Sequence, residues 1–177
     1  GLNHNYKNNT SSINGYLEDY ATTIEAFIAL YENTLNNKWL NTARDLTNYV
    51  FDYFYEPTNN MFYFTSNSSG NLIARKMEIN DNGIPASNSQ MARVLFKLGT
   101  LVNNKSYVEK SKQMLSNVYQ DMHTYPSGYS NWSILALFHT MLIVEKYLFL
   151  TLVQRQRIFH DPILNYLFLL KKRQIFP

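Results

Sequence analysis

The sequence predicts a mainly α protein made of helical hairpins, with one small β-hairpin set between them. Three observations carry that expectation. Apolar residues recur at spacings of three and four through several segments, as helices with one buried face require. The triplet Asn-Asn-Lys occurs twice, each time between two such segments, in NNKWLNTARDLTNYV and NNKSYVEKSKQMLSNV. Two β-rich runs, MFYFTS and LIARKMEI, flank the turn-forming NSSG and read as a hairpin.

Residues 1–14 are polar and Asn-rich, and are expected to form an irregular lead-in. From Tyr16 the stripe Leu17, Tyr20, Ala21, Ile24, Phe27, Ile28 and Tyr31 predicts a first helix. A second follows the break at Asn36 and Asn37, with Leu40, Ala43, Leu46, Val50, Phe51 and Phe54 on one face. It ends before Pro57, because a residue preceding proline is pushed out of the α region. After the hairpin, MEINDNGIPASNS supplies turn formers at Asp81, Asn82 and Gly83, and Ser87 or Asn88 can cap a third helix running to Val102. A fourth carries Val108, Ser111, Leu115, Val118 and Met122. A fifth, nearly all apolar, starts around Trp132, and its composition implies burial on most sides. The two Asn-Asn-Lys segments align Leu40 with Val108, Leu46 with Met114 and Val50 with Val118. Repeated hairpins bury their faces against one another, so an array is expected.

Composition narrows the function classes. The chain has 177 residues, enough for one domain with a sizeable core. Aromatic residues reach 15%, with 14 Tyr and 11 Phe, which suits core packing and equally a stacking groove. The net charge is only +3, and Lys171, Lys172 and Arg173 near the end hold much of the excess, so no nucleic-acid partner is expected. The absence of cysteine excludes disulfides and thiolate metal sites. His4, His123, His139 and His160 lack ligand spacing, and neither a metal nor a cofactor is expected. The run WSILALFHTMLIVEKYLFLTLV has the length of a membrane span. It contains His139, Glu145 and Lys146, so buried helix rather than membrane is expected; the lack of cysteine fits a reducing compartment, and a cytoplasmic location is expected.

Polar clusters open the odd-numbered helices: GYLEDYA, PASNSQMA and PSGYSNWS. In stacked hairpins equivalent helix starts share one end. Glu18, Asp19, Asn88, Ser89, Asn131 and Trp132 would then gather there with Asp81. Carboxylates and amides bond hydroxyls, and Trp132, Tyr129 and Tyr20 offer faces to sugar rings, so the set suits a saccharide. Two carboxylates can divide acid and base roles, as in glycosidases, where a separation of about 5.5 Å or of about 6.5–9.5 Å sets the outcome. Adjacent helical residues point apart, so Asp81 with Asp19 or Glu18 is the better pair. Asp81 and Asp19 are therefore the catalytic candidates, and His4, Glu18, Tyr20, Asn88, Ser89 and Trp132 the substrate-binding ones. Each also has a structural reading: acidic residues suit a first helical turn, Ser and Asn cap, Asp-Asn-Gly turns, and Trp fills cores. On the catalytic reading, Asp81→Asn abolishes turnover and leaves thermal stability nearly unchanged.

YLEDYATTIEAFIALYENT, the stretch FYFTS…LIARKMEINDNGIPASNSQMA and the later YSNW together resemble a family of thioredoxin-domain-containing proteins. It is known as domain of unknown function 255 and includes the spermatogenesis-associated protein 20 group. The resemblance covers residues 1–140, and carries Asp81, Pro85, Asn88 and Ser89, with His4 and Tyr6 upstream. It implies part of an (α/α)6 toroid similar to six-hairpin glycosidases and N-acylglucosamine 2-epimerases, hence a carbohydrate-processing or carbohydrate-binding ancestry. About half the toroid is expected here, without the thioredoxin-like domain. Its open apolar edges would be covered by another copy or by the divergent tail, 141–177. The alternative is a non-catalytic helical scaffold that docks a partner or a second copy.

Overall fold

A computed structural model describes residues 1–68 and 74–143. The chain divides into two compact units, Gly1–Ala136 and Leu137–Pro177. The first consists of two helical hairpins: α1 (Leu17–Thr34) with α2 (Asn37–Phe54), and α3 (Ser87–Leu101) with α4 (Lys105–Thr124). They lie side by side through α1 and α3. A 3-10 turn, Pro126–Tyr129, follows α4, and residues 130–136 are helical. Of the second unit, the described residues 137–143 are helical too. No described helix is long and apolar enough to cross a membrane. The expected tail lies, from residue 144 on, outside the described residues.

Both Asn-Asn-Lys triplets sit at hairpin turns of the same form, shifted by one residue: the cap is the first Asn of one triplet and the second Asn of the other. Leu35 and Asn103 both adopt left-handed backbone, with φ of 53° and 52°. Asn36 and Asn104 then cap the return helices, each Oδ1 accepting a backbone N–H at 3.0 Å. Asn103 tolerates this conformation better than the branched Leu35. Gly99 lets α3 and α4 approach: a Cβ there would meet Tyr107 Cβ and Val108 Cγ2 at 2.9 Å.

The core follows the helical stripes. Leu17, Tyr20, Ala21, Ile24 and Ile28 of α1 are buried, as are Ala43, Thr47, Val50 and Phe54 of α2. Ten of the fifteen residues of α3 are buried, so α3 is the central element. On α4 the buried face is Tyr107, Ser111, Met114 and Val118, about one position away from the expected stripe at two of its sites. Tyr107 wins its place through a stacked contact with Phe51, 5.8 Å between ring centroids.

Three expectations are corrected. The two-stranded antiparallel sheet joins β1 (Tyr55–Glu56) to β2 (Met61–Phe62), pairing Tyr55 with Phe62 and Glu56 with Met61. Its turn is Pro57–Asn60, with Asn60 at φ 57°, and part of NSSG lies outside the described residues. The two expected arms still meet, because Phe64 N–H donates to Lys76 O at 2.7 Å and Arg75 donates to the Thr65 carbonyl. The lead-in is also more ordered than expected. Asn3 pairs with Asn14 and Lys7 with Thr10, around a turn in which Asn8 and Asn9 take positive φ. Finally, the helical stretch after the 3-10 turn is buried on one face only: Trp132 and Leu135 are inside, whereas Ile134 is 42% exposed.

Candidate functional site

The strap of residues 1–15 lies against the start of α1. Its Leu2 N–H donates to the Tyr20 hydroxyl at 2.7 Å, and Gly15 N–H returns to the Leu2 carbonyl at 2.9 Å. His4 is thereby set beside Asp19, with Nδ1 2.8 Å from Oδ2, and its ring rests 4.8 Å from that of Tyr16. The same Oδ2 accepts the Tyr16 N–H at 2.8 Å, so Asp19 closes the first turn of α1 from its third position. Both bonds fall on Oδ2, and Oδ1 carries neither.

Between the strap, the start of α1 and the start of α3 lies a cleft of about 460 Å³. Leu2 and Asn3 line it from the strap, Glu18, Asp19, Thr22 and Thr23 from α1, and Ile84, Pro85 and Gln90 from the approach to α3. Burial raises the pKa of the Glu18 carboxyl first, and the charges of Asp19 and Glu78 add to it, while His4 opposes the rise. Farther along the α1–α3 seam, Gln90 accepts from the Thr22 hydroxyl at 3.2 Å and donates to Glu25 at 3.2 Å. Glu25 in turn pairs with Arg93 at 3.1 Å and Lys97 at 3.4 Å.

Behind the Ile84–Pro85 wall sits a second polar cluster, closed and largely buried. Asp81 is 4% exposed. Its Oδ1 accepts the Ala86 N–H at 2.9 Å and the Ser89 hydroxyl at 2.6 Å; its Oδ2 accepts the Asn131 N–H at 2.8 Å. One carboxylate thus caps α3 and the helical stretch that begins at residue 130, where helix dipoles favour negative charge. Asn88 accepts the Phe62 N–H at 2.9 Å and donates to the carbonyls of Phe62 at 2.8 Å and Glu78 at 2.9 Å, so one side chain extends the ladder beside β2. Glu78 accepts the Ser87 N–H at 3.1 Å. The Trp132 indole donates to the Ile79 carbonyl at 2.9 Å.

The expected gathering of helix starts is therefore present as two clusters with different exposure. Asp81, Asn88, Ser89, Asn131 and Trp132 meet in the closed one. Glu18 and Asp19 line the open cleft, whereas His4 does not and reaches it only through its bond to Asp19. Tyr20 and Trp132 are buried, and neither presents a ring face to the cleft. Burial pushes the Tyr20 hydroxyl well above the ordinary phenol range, and its ring stacks on Tyr49 at 5.2 Å. Ser87 does not cap α3. The cap position is Ala86, and the distant carboxylates of Asp81 and Glu78 serve the first N–H groups instead. Thr22, Glu25, Gln90, Arg93 and Lys97 were not singled out from the sequence. Their signal was there, since positions 18, 22 and 25 and positions 90, 93 and 97 set polar residues at helical spacing within apolar segments. Among the described residues no group of three or more His, Asp or Glu is arranged to hold a metal ion.

Comparison with known proteins places this geometry beside one group of relatives. The chain is 26% identical over 113 residues to spermatogenesis-associated protein 20 of Mus musculus, and equally to those of Rattus norvegicus and Homo sapiens. The match covers 63% of this chain and spans only 14% of the length of those relatives. No protein-family model matches the chain. The similarity is to the same group that YLEDYATTIEAFIALYENT and the stretch ending in PASNSQMA resemble.

Proposed function

We propose that the cleft between the strap and the starts of α1 and α3 binds a small polyhydroxylated ligand of the saccharide class. On this reading the chain is part of an (α/α)6 toroid of the domain-of-unknown-function-255 kind. The observation that carries it is the cleft itself, lined by two carboxylates and two amides around a space of the size of one or two sugar rings. Carboxylate and amide side chains can bond vicinal hydroxyls in pairs, while Leu2, Ile84 and Pro85 cover the apolar ring face.

If the ligand is turned over, by hydrolysis or epimerisation, Glu18 is the proton donor of the reading, since burial first and then the neighbouring carboxylates raise its pKa. Asp19, oriented by His4 and the Tyr16 N–H, is the second carboxylate at the cleft; as neighbours on a helix the two point apart, so each meets a different part of the ligand. Asp81, Asn88, Ser89 and Trp132 support the cleft wall from behind. A thermal-shift screen of the purified chain against mono- and oligosaccharides tests the reading, since a ligand of the native state raises its melting temperature. One sugar class should raise it in wild type and fail to do so in Asp19→Asn.

A second reading, a non-catalytic scaffold docking another copy or a partner, draws on exposed apolar side chains away from the cleft: Leu35 at the end of α1, Leu101 at the end of α3, and Ile134. It calls for a particle larger than one chain by light scattering and no saccharide response.

A further inference from the structure

We infer that Asn82 is a site of spontaneous covalent modification. Its side-chain amide closes onto the Gly83 nitrogen, and water opens the ring to leave a new carboxylate in the loop that leads to α3. The inference stands apart from the saccharide reading.

The sequence holds the pair Asn-Gly twice, at Asn14-Gly15 and Asn82-Gly83. Asparagine before glycine is the favoured context for ring closure, because glycine has no Cβ to hinder its nitrogen and its backbone turns freely. The structure separates the two pairs. Gly15 is buried, and its N–H donates to the Leu2 carbonyl at 2.9 Å. Asn14 is held as well, bridged to Asn3. Ring closure there must first break that packing and release the nitrogen. Asn82, Gly83 and Ile84 are all exposed, and a Cβ placed on Gly83 would meet nothing within 4 Å. Among the described residues, neither the Gly83 N–H nor the Asn82 side chain makes a hydrogen bond. The loop is anchored on either side of them instead. Asp81 N–H donates to the Gly128 carbonyl at 2.8 Å, and Asp81 Oδ1 accepts the Ala86 N–H at 2.9 Å. Nucleophile and electrophile are thus both free, between fixed ends.

The chemistry needs only water. The Gly83 nitrogen bonds to Asn82 Cγ as the Cγ–Nδ2 bond breaks, and ammonia leaves with the Gly83 amide proton. Water then adds to either carbonyl of the cyclic imide and breaks one of its two C–N bonds. The product at position 82 is aspartate or, with a methylene added to the main chain, iso-aspartate. Either one sets a negative charge beside the Asp81 carboxylate, which is 4% exposed. The iso-aspartyl link also lengthens the loop closed by the bond from Asp81 to Ala86. Both effects weaken the cap of α3.

Incubation of the full chain for weeks in neutral buffer made with heavy-oxygen water, followed by peptide mapping with tandem mass spectrometry, tests the inference. Position 82 is expected to take up the label roughly tenfold faster than position 14, whose nitrogen must first lose a buried hydrogen bond. In denaturant the two positions should react at similar rates. Gly83→Ala, whose Cβ enters open space, should fold as the wild type does and suppress labelling at position 82. The reacted fraction should melt below the intact one. Equal labelling of positions 14 and 82 in the folded chain, or none at 82, would overturn the site. An unchanged melting temperature of the reacted fraction would overturn the effect on the Asp81 cap.

Discussion

Replacing Asp81 with asparagine tests whether the residue holds the fold or acts on a ligand. Asparagine keeps one acceptor oxygen where aspartate has two. Its best orientation leaves the carbonyl oxygen facing Ala86 N–H and Ser89 Oγ and turns the NH2 group toward the Asn131 N–H, donor against donor. Losing a buried hydrogen bond to a charged acceptor, and leaving that N–H unpaired, costs about 1.5–3 kcal/mol. Two helix starts also lose a facing negative charge, at roughly 0.3–1 kcal/mol each. The sum is about 2–5 kcal/mol. For a chain of this size 1 kcal/mol moves the melting temperature by about 2–4 °C, so a fall of about 10 °C is expected. Differential scanning calorimetry with urea denaturation reads it directly, and Ser89→Ala, which removes one of the three donors, should cost about 1 kcal/mol. A melting temperature for Asp81→Asn within about 2 °C of wild type, with ligand response lost, would refute the structural assignment and return Asp81 to acid or base work.

Other outcomes follow from single positions. Leu35→Asn should stabilise the chain by about 1 kcal/mol in denaturant titrations, because Leu35 is 75% exposed at positive φ and the equivalent Asn103 shows what the turn prefers. Gly99→Ala should destabilise by about 1–3 kcal/mol in the same assay. Its Cβ would sit 2.9 Å from Tyr107 Cβ and Val108 Cγ2, outweighing the better helix propensity of alanine. Glu18→Gln should raise the melting temperature at neutral pH. The folded chain disfavours ionised Glu18, so the penalty is full above the raised pKa and vanishes below the ordinary value of 4.5. Melting curves of the two proteins should therefore converge in acid.

The helices were legible because their signals are local. Stripes at three and four residues, the Asn-Asn-Lys turns and Pro57 as a stop lie within a few positions of what they control. The hairpin was misplaced for a related reason. Pro57 ends α2 as its sequence position predicts, but Pro57–Asn60 is also the turn that pairs β1 with β2. The roles of Asp81, Asn88 and Trp132 lay beyond such reasoning. Asp81 meets Asn131 across 50 positions, Asn88 meets Phe62 across 26 and Trp132 meets Ile79 across 53, and no local pattern pairs them. In the polar motif PASNSQ, Asn88 and Ser89 turn inward to bond backbone groups and Asp81. Only its flank, through Pro85 and Gln90, reaches the cleft.

The central claim is that a ligand enters the open cleft while the Asp81 cluster stays closed behind it. A titration of the isotope-labelled chain with mono- and oligosaccharides, followed through its backbone amide resonances, tests this most directly. Saturable shifts are expected at Asn3, Asp19, Thr22, Ile84 and Gln90, with α2 and the outer face of α4 silent. Shifts that concentrate at Leu35, Leu101 and Ile134, or that are absent altogether, would contradict it.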